Sequence, residues 1–164
     1  MPFRERIDTL AHFLPPFYRQ ACEETGHGRP DGMPAIPSEE SHLEVMKEVS
    51  ITKSILSISS PGVYLHGDAN SARKLARQCN EFAADIVKRR PQEFGFWASI
   101  LLPDIVGSLE ELSYAPNTLK AEGIALETNY EGIYLRDITF DPIFEKLNES
   151  KVTVFIYPTS LCIK

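Results

Sequence analysis

The chain has 164 residues, 43% hydrophobic and 24% charged, with a formal net charge of −6. That is one ordinary domain, long enough to bury roughly 65–70% of its unfolded surface around a sizeable core. The acidic balance argues against a nucleic-acid partner, because phosphate binding relies on clustered Lys and Arg. The densest basic run, Lys88-Arg89-Arg90, suits a solvated helix end.

Met1-Pro2-Phe3-Arg4-Glu5-Arg6 leads at once into the first strand, which leaves no room for a signal peptide. No apolar run approaches the ~20 residues of a membrane span. The three cysteines, Cys22, Cys79 and Cys162, are an odd number without C-x-x-C spacing. They suggest neither a disulfide framework nor a zinc ribbon, and reduced thiols in a cytoplasmic protein are the expectation.

Along the chain, β-like runs alternate with helical periodicity. A strand-like segment, Ile7-Asp8-Thr9-Leu10-Ala11-His12-Phe13-Leu14-Pro15-Pro16, comes first. The Pro- and Gly-rich stretch Gly26 to Pro37 fits neither period and is expected as a long loop. Ser38 to Val49 reads as a helix, with Ser41 and Glu44 at capping-box spacing.

Ser54 to Ser60 is a short β-branched run closed by Pro61-Gly62. Leu75, Cys79, Phe82, Ala83, Ile86 and Val87 recur at helical spacing between Asp68-Asn70-Ser71 and Pro91, which predicts the clearest helix. Phe94 to Leu102 is a near-continuous apolar run closed by Pro103-Asp104. Ile105 to Lys120 reads as a helix with a kink or break near Ala115, because Pro116 removes a helix hydrogen bond. Gly123 to Thr128 is a fourth strand, Asp141-Pro142 an N-cap followed by Pro at the first helical position, and Val152 to Tyr157 a fifth strand.

The order β, α, β, α through five strands predicts an α/β fold with a parallel sheet and right-handed crossovers. With no repeat or composition break, residues 1–164 read as a single domain. Two architectures fit: a partial (β/α)8 TIM-type barrel, or an open sheet with the first and fifth strands at its edges. In a barrel the functional groups cluster at the C-terminal ends of strands. Here those ends carry His12, Ser59-Ser60-Pro61-Gly62, Pro103-Asp104, Thr128-Asn129-Tyr130 and Tyr157-Pro158-Thr159.

The opening segment resembles the first strand of the amidohydrolase superfamily, in particular the aminocarboxymuconate-semialdehyde decarboxylase-like branch, whose pattern is Ile-Asp-x-His-x-His-Phe-x-Pro-Pro. The chain is similar to the fungal 6-methylsalicylate decarboxylases of that branch over nearly its whole length. The likeness runs through Gly28 to Gly32, Ser57 to Gly62, Cys79-Asn80-Glu81, Thr128-Asn129-Tyr130, and a fifth strand that in the family ends Val-Phe-x-His-Pro-Thr.

The resemblance implies a carboxy-lyase: metal-dependent, non-oxidative decarboxylation of an aromatic or unsaturated carboxylic acid. Zinc or another divalent metal would orient the carboxylate and its neighbouring hydroxyl. On a strand, residues i and i+2 share a face, so His-x-His sets two imidazoles beside one ion. Of these implied ligands only His12 is present: Leu10 stands at the first histidine position, and Tyr157 at the fifth-strand histidine. The family's remaining histidine and its aspartate come from later strands. One imidazole does not hold zinc, so impaired catalysis and a chain without bound metal are expectations as well.

The other candidates are weaker. Arg29 offers a carboxylate substrate a bidentate cation, although pairing with Asp31 explains it equally. Asn129 and Tyr130 could hydrogen-bond a phenolic substrate, although a turn-forming Asn explains them without a ligand. Asp8, on the opposite face from His12, is expected to bond local backbone. His27, in the long loop, could reach a site mouth, although simple solvation explains it; His42 and His66 have no partner at ligand spacing, and Trp97 is expected in the core. Glu127 reads as a strand-face residue near the site or as a charge kept wet by an incomplete barrel. The alternatives are a non-catalytic pseudoenzyme or fragment that acts by self-association or partner binding, and a metal-dependent hydrolase. An exposed sheet edge also predicts a homo-oligomer.

Overall fold

The computed structural model describes residues 5–27, 38–65 and 67–159. Five parallel strands form one curled sheet in the order β1 (Ile7–His12), β2 (Lys53–Ser57), β3 (Phe94–Ser99), β4 (Gly123–Glu127) and β7 (Thr153–Tyr157). The helices α1 (Pro16–Glu24), α2 (Glu39–Glu48), α3 (Ala69–Arg89), α4 (Ile105–Tyr114) and α5 (Asp141–Ser150) fall in the crossovers. The result is the half-barrel expected, with β1 and β7 as its two edges.

Strand alternation divides the apolar side chains into two sets. Ala11, Leu56, Ile58, Phe94, Phe96, Ala98, Ile124 and Leu126 point outward and pack under the helices in the main core. The stripe of α3 that meets them is Ala72, Leu75, Ala76, Cys79, Ala83 and Ile86, all buried. Ile55, Trp97, Ala125 and Tyr157 point the other way and form a second cluster with Leu10 and Phe155. That smaller cluster is the inner face of the half-barrel.

The β4–β7 contact depends on Gly123, since a Cβ there would lie 2.3 Å from the Thr153 carbonyl oxygen. Strand β1 stops at His12, and Pro16, which lacks an N–H, opens α1 at its first position. The break near Ala115 is present: α4 ends at Tyr114 and a π-helical turn spans Ala115–Leu119 around Pro116.

Two helix starts differ from expectation. The cap of α2 is Ser38, whose side chain accepts from the Ser41 N–H at 3.3 Å, not Ser41 itself. Glu39 and Glu40 then occupy the first turn, where the helix dipole favours carboxylates. Asp141 is the first helical residue of α5 and makes no cap bond. A 3-10 turn, Ile138–Phe140, capped by Asp137 accepting from the Thr139 N–H at 2.9 Å, runs straight into that helix. Periodicity also passed over α1 and the two-residue strands β5 (Asn129–Tyr130) and β6 (Ile133–Tyr134), which form an antiparallel hairpin. The greater part of the Gly26–Pro37 loop, with Arg29, lies outside the described residues, as does His66.

Candidate functional site

The C-terminal ends of the strands converge on the inner face. His12 pairs with Ser57 and Glu127 with Tyr157 in the ladder, so each pair projects to one side. A register shift between Asp8 and Ala11 pairs Asp8 with Ser54, whose side chain meets His42 on the helix side. Asp8 is therefore on the opposite face from His12, and its Oδ1 accepts the Leu10 N–H at 3.0 Å, the local backbone bond expected of it.

His12 Nδ1 lies 3.4 Å from the Ser57 carbonyl oxygen, and its ring stands edge-on to Tyr157 with centroids 5.9 Å apart. The Tyr157 hydroxyl donates to the Ile58 carbonyl at 2.9 Å and lies 3.3 Å from Glu127 Oε1. Gly62, at φ +76°, makes room for that carboxylate: a Cβ would come within 3.2 Å of Glu127 Oε1. Glu127 is 5% exposed, so of its two readings the strand-face position near the site is the one found and the wet charge is not: the carboxylate is buried and partnered at the inner strand ends.

Side chains tie the surrounding loops together. Tyr18 donates to the carbonyls of Gly62 at 2.8 Å and Ser59 at 3.2 Å, and burial pushes its phenol well above the ordinary range. Ser60 Oγ and Thr159 Oγ1 are 2.5 Å apart, and the Thr159 N–H donates to Thr128 Oγ1 at 3.1 Å. The β2 loop, the end of β4 and the end of β7 thus form one hydrogen-bonded rim.

Of the other candidates, Tyr130 accepts the Glu127 N–H on its hydroxyl at 2.9 Å and packs edge-on against Phe140. Burial raises its phenol pKa. Asn129 Oδ1 accepts the Gly132 N–H at 3.3 Å, closing the hairpin. Trp97 is core, as expected, stacked on Phe155 and donating Nε1–H to the Thr9 carbonyl at 2.8 Å. His42 sits on the helix side, 3.1 Å from Ser54 Oγ and against Phe94, with burial lowering its pKa. His27 is exposed beyond the end of α1. A cavity of about 520 Å³ also opens on the helix side, among Phe13, Arg19, Glu39, His42, Phe82 and Phe94.

The donor set does not fit the divalent metal that the fold family implies. Leu10 is part of the apolar inner cluster and offers no lone pair, and the Tyr157 hydroxyl proton is given to a backbone carbonyl. Among the described residues no group of three or more His, Cys, Asp or Glu is placed to hold an ion. Sequence reasoning placed Tyr157 at the site but did not find its contact with Glu127. The available signal was parity, since Gly123, Ala125 and Glu127 alternate onto one face of β4.

Residues 7–162 match the Amidohydrolase family. The chain is 39% identical to 6-methylsalicylic acid decarboxylase from Penicillium expansum, over 94% of this chain and 48% of the relative. It is 42% identical to decarboxylase yanB from Aspergillus niger, over 95% of this chain and 44% of the relative. It spans about half the length of the curated relatives it matches. Among solved structures, an amidohydrolase II matches with a TM-score of 0.90 and 27% identity over 98% of this chain and 52% of that one. The 5-carboxyvanillate decarboxylase LigW2 from Novosphingobium aromaticivorans, solved with manganese and 3-methoxy-4-hydroxy-5-nitrobenzoic acid, matches with a TM-score of 0.79 and 27% identity, over 96% of this chain and 51% of that one. A divalent metal and a small aromatic acid are thus features of such relatives, and the chain itself belongs to the amidohydrolase family.

Proposed function

We propose that this chain is a carboxy-lyase scaffold for a small aromatic or unsaturated carboxylic acid of the 6-methylsalicylate type, with metal-dependent decarboxylation impaired by the residues at its metal positions. The observation that carries this reading is His12, held at the C-terminal end of β1 on the inner face, opposite Tyr157. The names of the relatives support the substrate class. In this reading residues 1–164 act as one domain, and Arg29, Asn129 and Tyr130 are the substrate-binding candidates. His12 and Tyr157 mark the metal positions, with zinc or manganese as the family's ion. The parallel edges β1 and β7 favour self-association. No helix of the described residues is long and apolar enough to cross a membrane, which agrees with action on a small soluble acid.

A second reading, a non-catalytic relative that works by binding, is favoured by one observation: the Tyr157 hydroxyl is already committed to Ile58 and Glu127. One experiment separates the two. The purified chain is supplied with MnCl2 or ZnCl2 and 6-methylsalicylate or 2,6-dihydroxybenzoate, while binding is followed by Trp97 fluorescence and turnover by CO2 release. The impaired carboxy-lyase reading expects saturable binding with CO2 release only slightly above the no-protein control. Release as fast as that of a fungal relative overturns the impairment, and no binding of either acid overturns the scaffold reading.

A further inference from the structure

Tyr157 reaches a place that a shorter side chain at the end of β7 could not. In the sheet, β7 is separated from β2 by β3 and β4, yet the Tyr157 hydroxyl meets the carbonyl of Ile58, just beyond β2, at 2.9 Å. Its ring therefore crosses the concave inner face, with the Glu127 carboxylate 3.3 Å from the same hydroxyl. Gly62 shapes the β2 loop around that carboxylate, and the Ser60–Thr159 contact joins the same two strand ends a second time. Beneath the ring, Leu10 completes an apolar layer with Ile55, Trp97, Ala125 and Phe155.

We propose that Tyr157 and Glu127 form a metal-independent strap, which holds the β2 loop to β7 by hydrogen bonds and, among the described residues, takes the place of the co-ligand set that divalent cation uptake requires. The proposal rests on the preceding reading only in taking these strand ends as the site. To coordinate an ion, Tyr157 must give up a proton whose ordinary pKa is about 10 and abandon the Ile58 carbonyl. Leu10 supplies no donor in compensation, and among the described residues no group of three or more His, Cys, Asp or Glu is placed to give the three or four ligands of a zinc site. The strap takes over the cross-linking of strand ends that a bound ion performs when metal binding is coupled to folding.

The test titrates Mn2+ alone into the full 164-residue chain, reads free Mn2+ by electron paramagnetic resonance, and follows melting with and without about 1 mM MnCl2 or EDTA. The expected result is a free Mn2+ signal equal to the total added, and a melting temperature moved by neither reagent. Tyr157→Phe keeps the ring, deletes the hydroxyl, and is expected to lower the melting temperature by about 4 °C. Stoichiometric Mn2+ uptake by the unaltered chain that disappears in His12→Ala or Glu127→Gln overturns the proposal. So does a Tyr157→Phe chain that melts with the unaltered one. These readouts are independent of turnover: a chain that takes up Mn2+ yet releases little CO2 overturns the strap and leaves the carboxy-lyase reading standing. Failure to bind aromatic acids does the reverse.

Discussion

The Asn80 carboxamide holds the backbone of Ser99 from both sides, donating through Nδ2 to its carbonyl at 3.0 Å and accepting its N–H on Oδ1 at 2.9 Å. The clasp fixes α3 to the end of β3, a strand whose inner side carries Trp97. Nδ2 also donates to Glu111 Oε2 at 3.0 Å, so one buried amide links α3, β3 and α4. Asn80→Ala would leave three buried polar atoms short of this partner. The expected loss is about 3 kcal/mol, or a fall of about 6–12 °C in melting temperature. Thermal and urea unfolding check it, and a variant that melts within experimental error of the unaltered chain refutes the role assigned to the clasp.

Arg77 neutralises Glu111. Its Nε lies 2.5 Å from Oε1 of a carboxylate whose side chain is 4% exposed, while the guanidinium lies over the Tyr114 ring, 3.7 Å from its centroid. Removing the cation leaves a buried carboxylate with Asn80 as its remaining partner among the described residues. Because Arg77 is itself partly solvated, Arg77→Ala is expected to cost about 2–3 kcal/mol, below the value for a fully buried pair. The double variant Arg77→Ala/Glu111→Gln should lose less than the sum of the single changes. Strict additivity in a denaturation cycle would show that the pair is not coupled.

The alternation of strands and helices was legible in the sequence because each type buries one face at its own period, as α3 does through Leu75, Cys79 and Ile86. The bulge in β1 was not legible as a bulge. It is a property of the pairing with β2, and it is what sets Asp8 on the face opposite His12, a placement expected from the sequence although strict alternation alone would unite the two. The candidate site was partly legible. The loss of a donor at Leu10 is a matter of residue type, but the fate of Tyr157 depends on a carbonyl 99 positions away in sequence, at Ile58. For Glu127 the sequence left a strand-face position near the site and a wet charge both open, because its partner Tyr157 comes from β7 and the room it occupies is left by Gly62, neither of which a local window contains.

His42 predicts a pH response on the helix side of the sheet. Burial lowers its pKa from the ordinary value, opposed by the nearby Asp8 carboxylate, and its ring is set between Ser54 and Phe94. A base with a depressed folded pKa binds protons more readily when unfolded. Its contribution is therefore complete above the unfolded value of about 6.5 and is lost as pH falls from there toward the folded value. Melting temperatures measured from about pH 7.5 down to about pH 5 should fall more steeply for the unaltered chain than for His42→Gln. A second loss belongs to carboxylates held low: Asp104 by the Arg73 guanidinium, and Glu39 by Arg89 and then Arg90. Their stabilisation is present above the ordinary carboxylate range and disappears as pH falls through and below about 4. Parallel profiles for His42→Gln and the unaltered chain between about pH 7 and 5 would remove His42 from the account.

The edge of β7 allows the geometry of self-association to be read from two substitutions. Thr153–Tyr157 pairs with β4 on one side, and among the described residues no strand pairs with the other. Ile156, beside that edge, is 51% exposed, and Ile7, on the opposite edge strand β1, is 53% exposed. A lysine on an edge strand opposes strand addition because its charge must be desolvated when a neighbour docks. If two copies meet about a twofold axis through β7 alone, Ile156→Lys should abolish the dimer and Ile7→Lys should leave it intact. If β7 of one copy pairs with β1 of the next, both substitutions should act, and the contact would propagate into larger species unless it closes into a ring. Sedimentation velocity over a concentration series distinguishes these outcomes. A chain that stays monomeric throughout the series would dismiss edge pairing altogether.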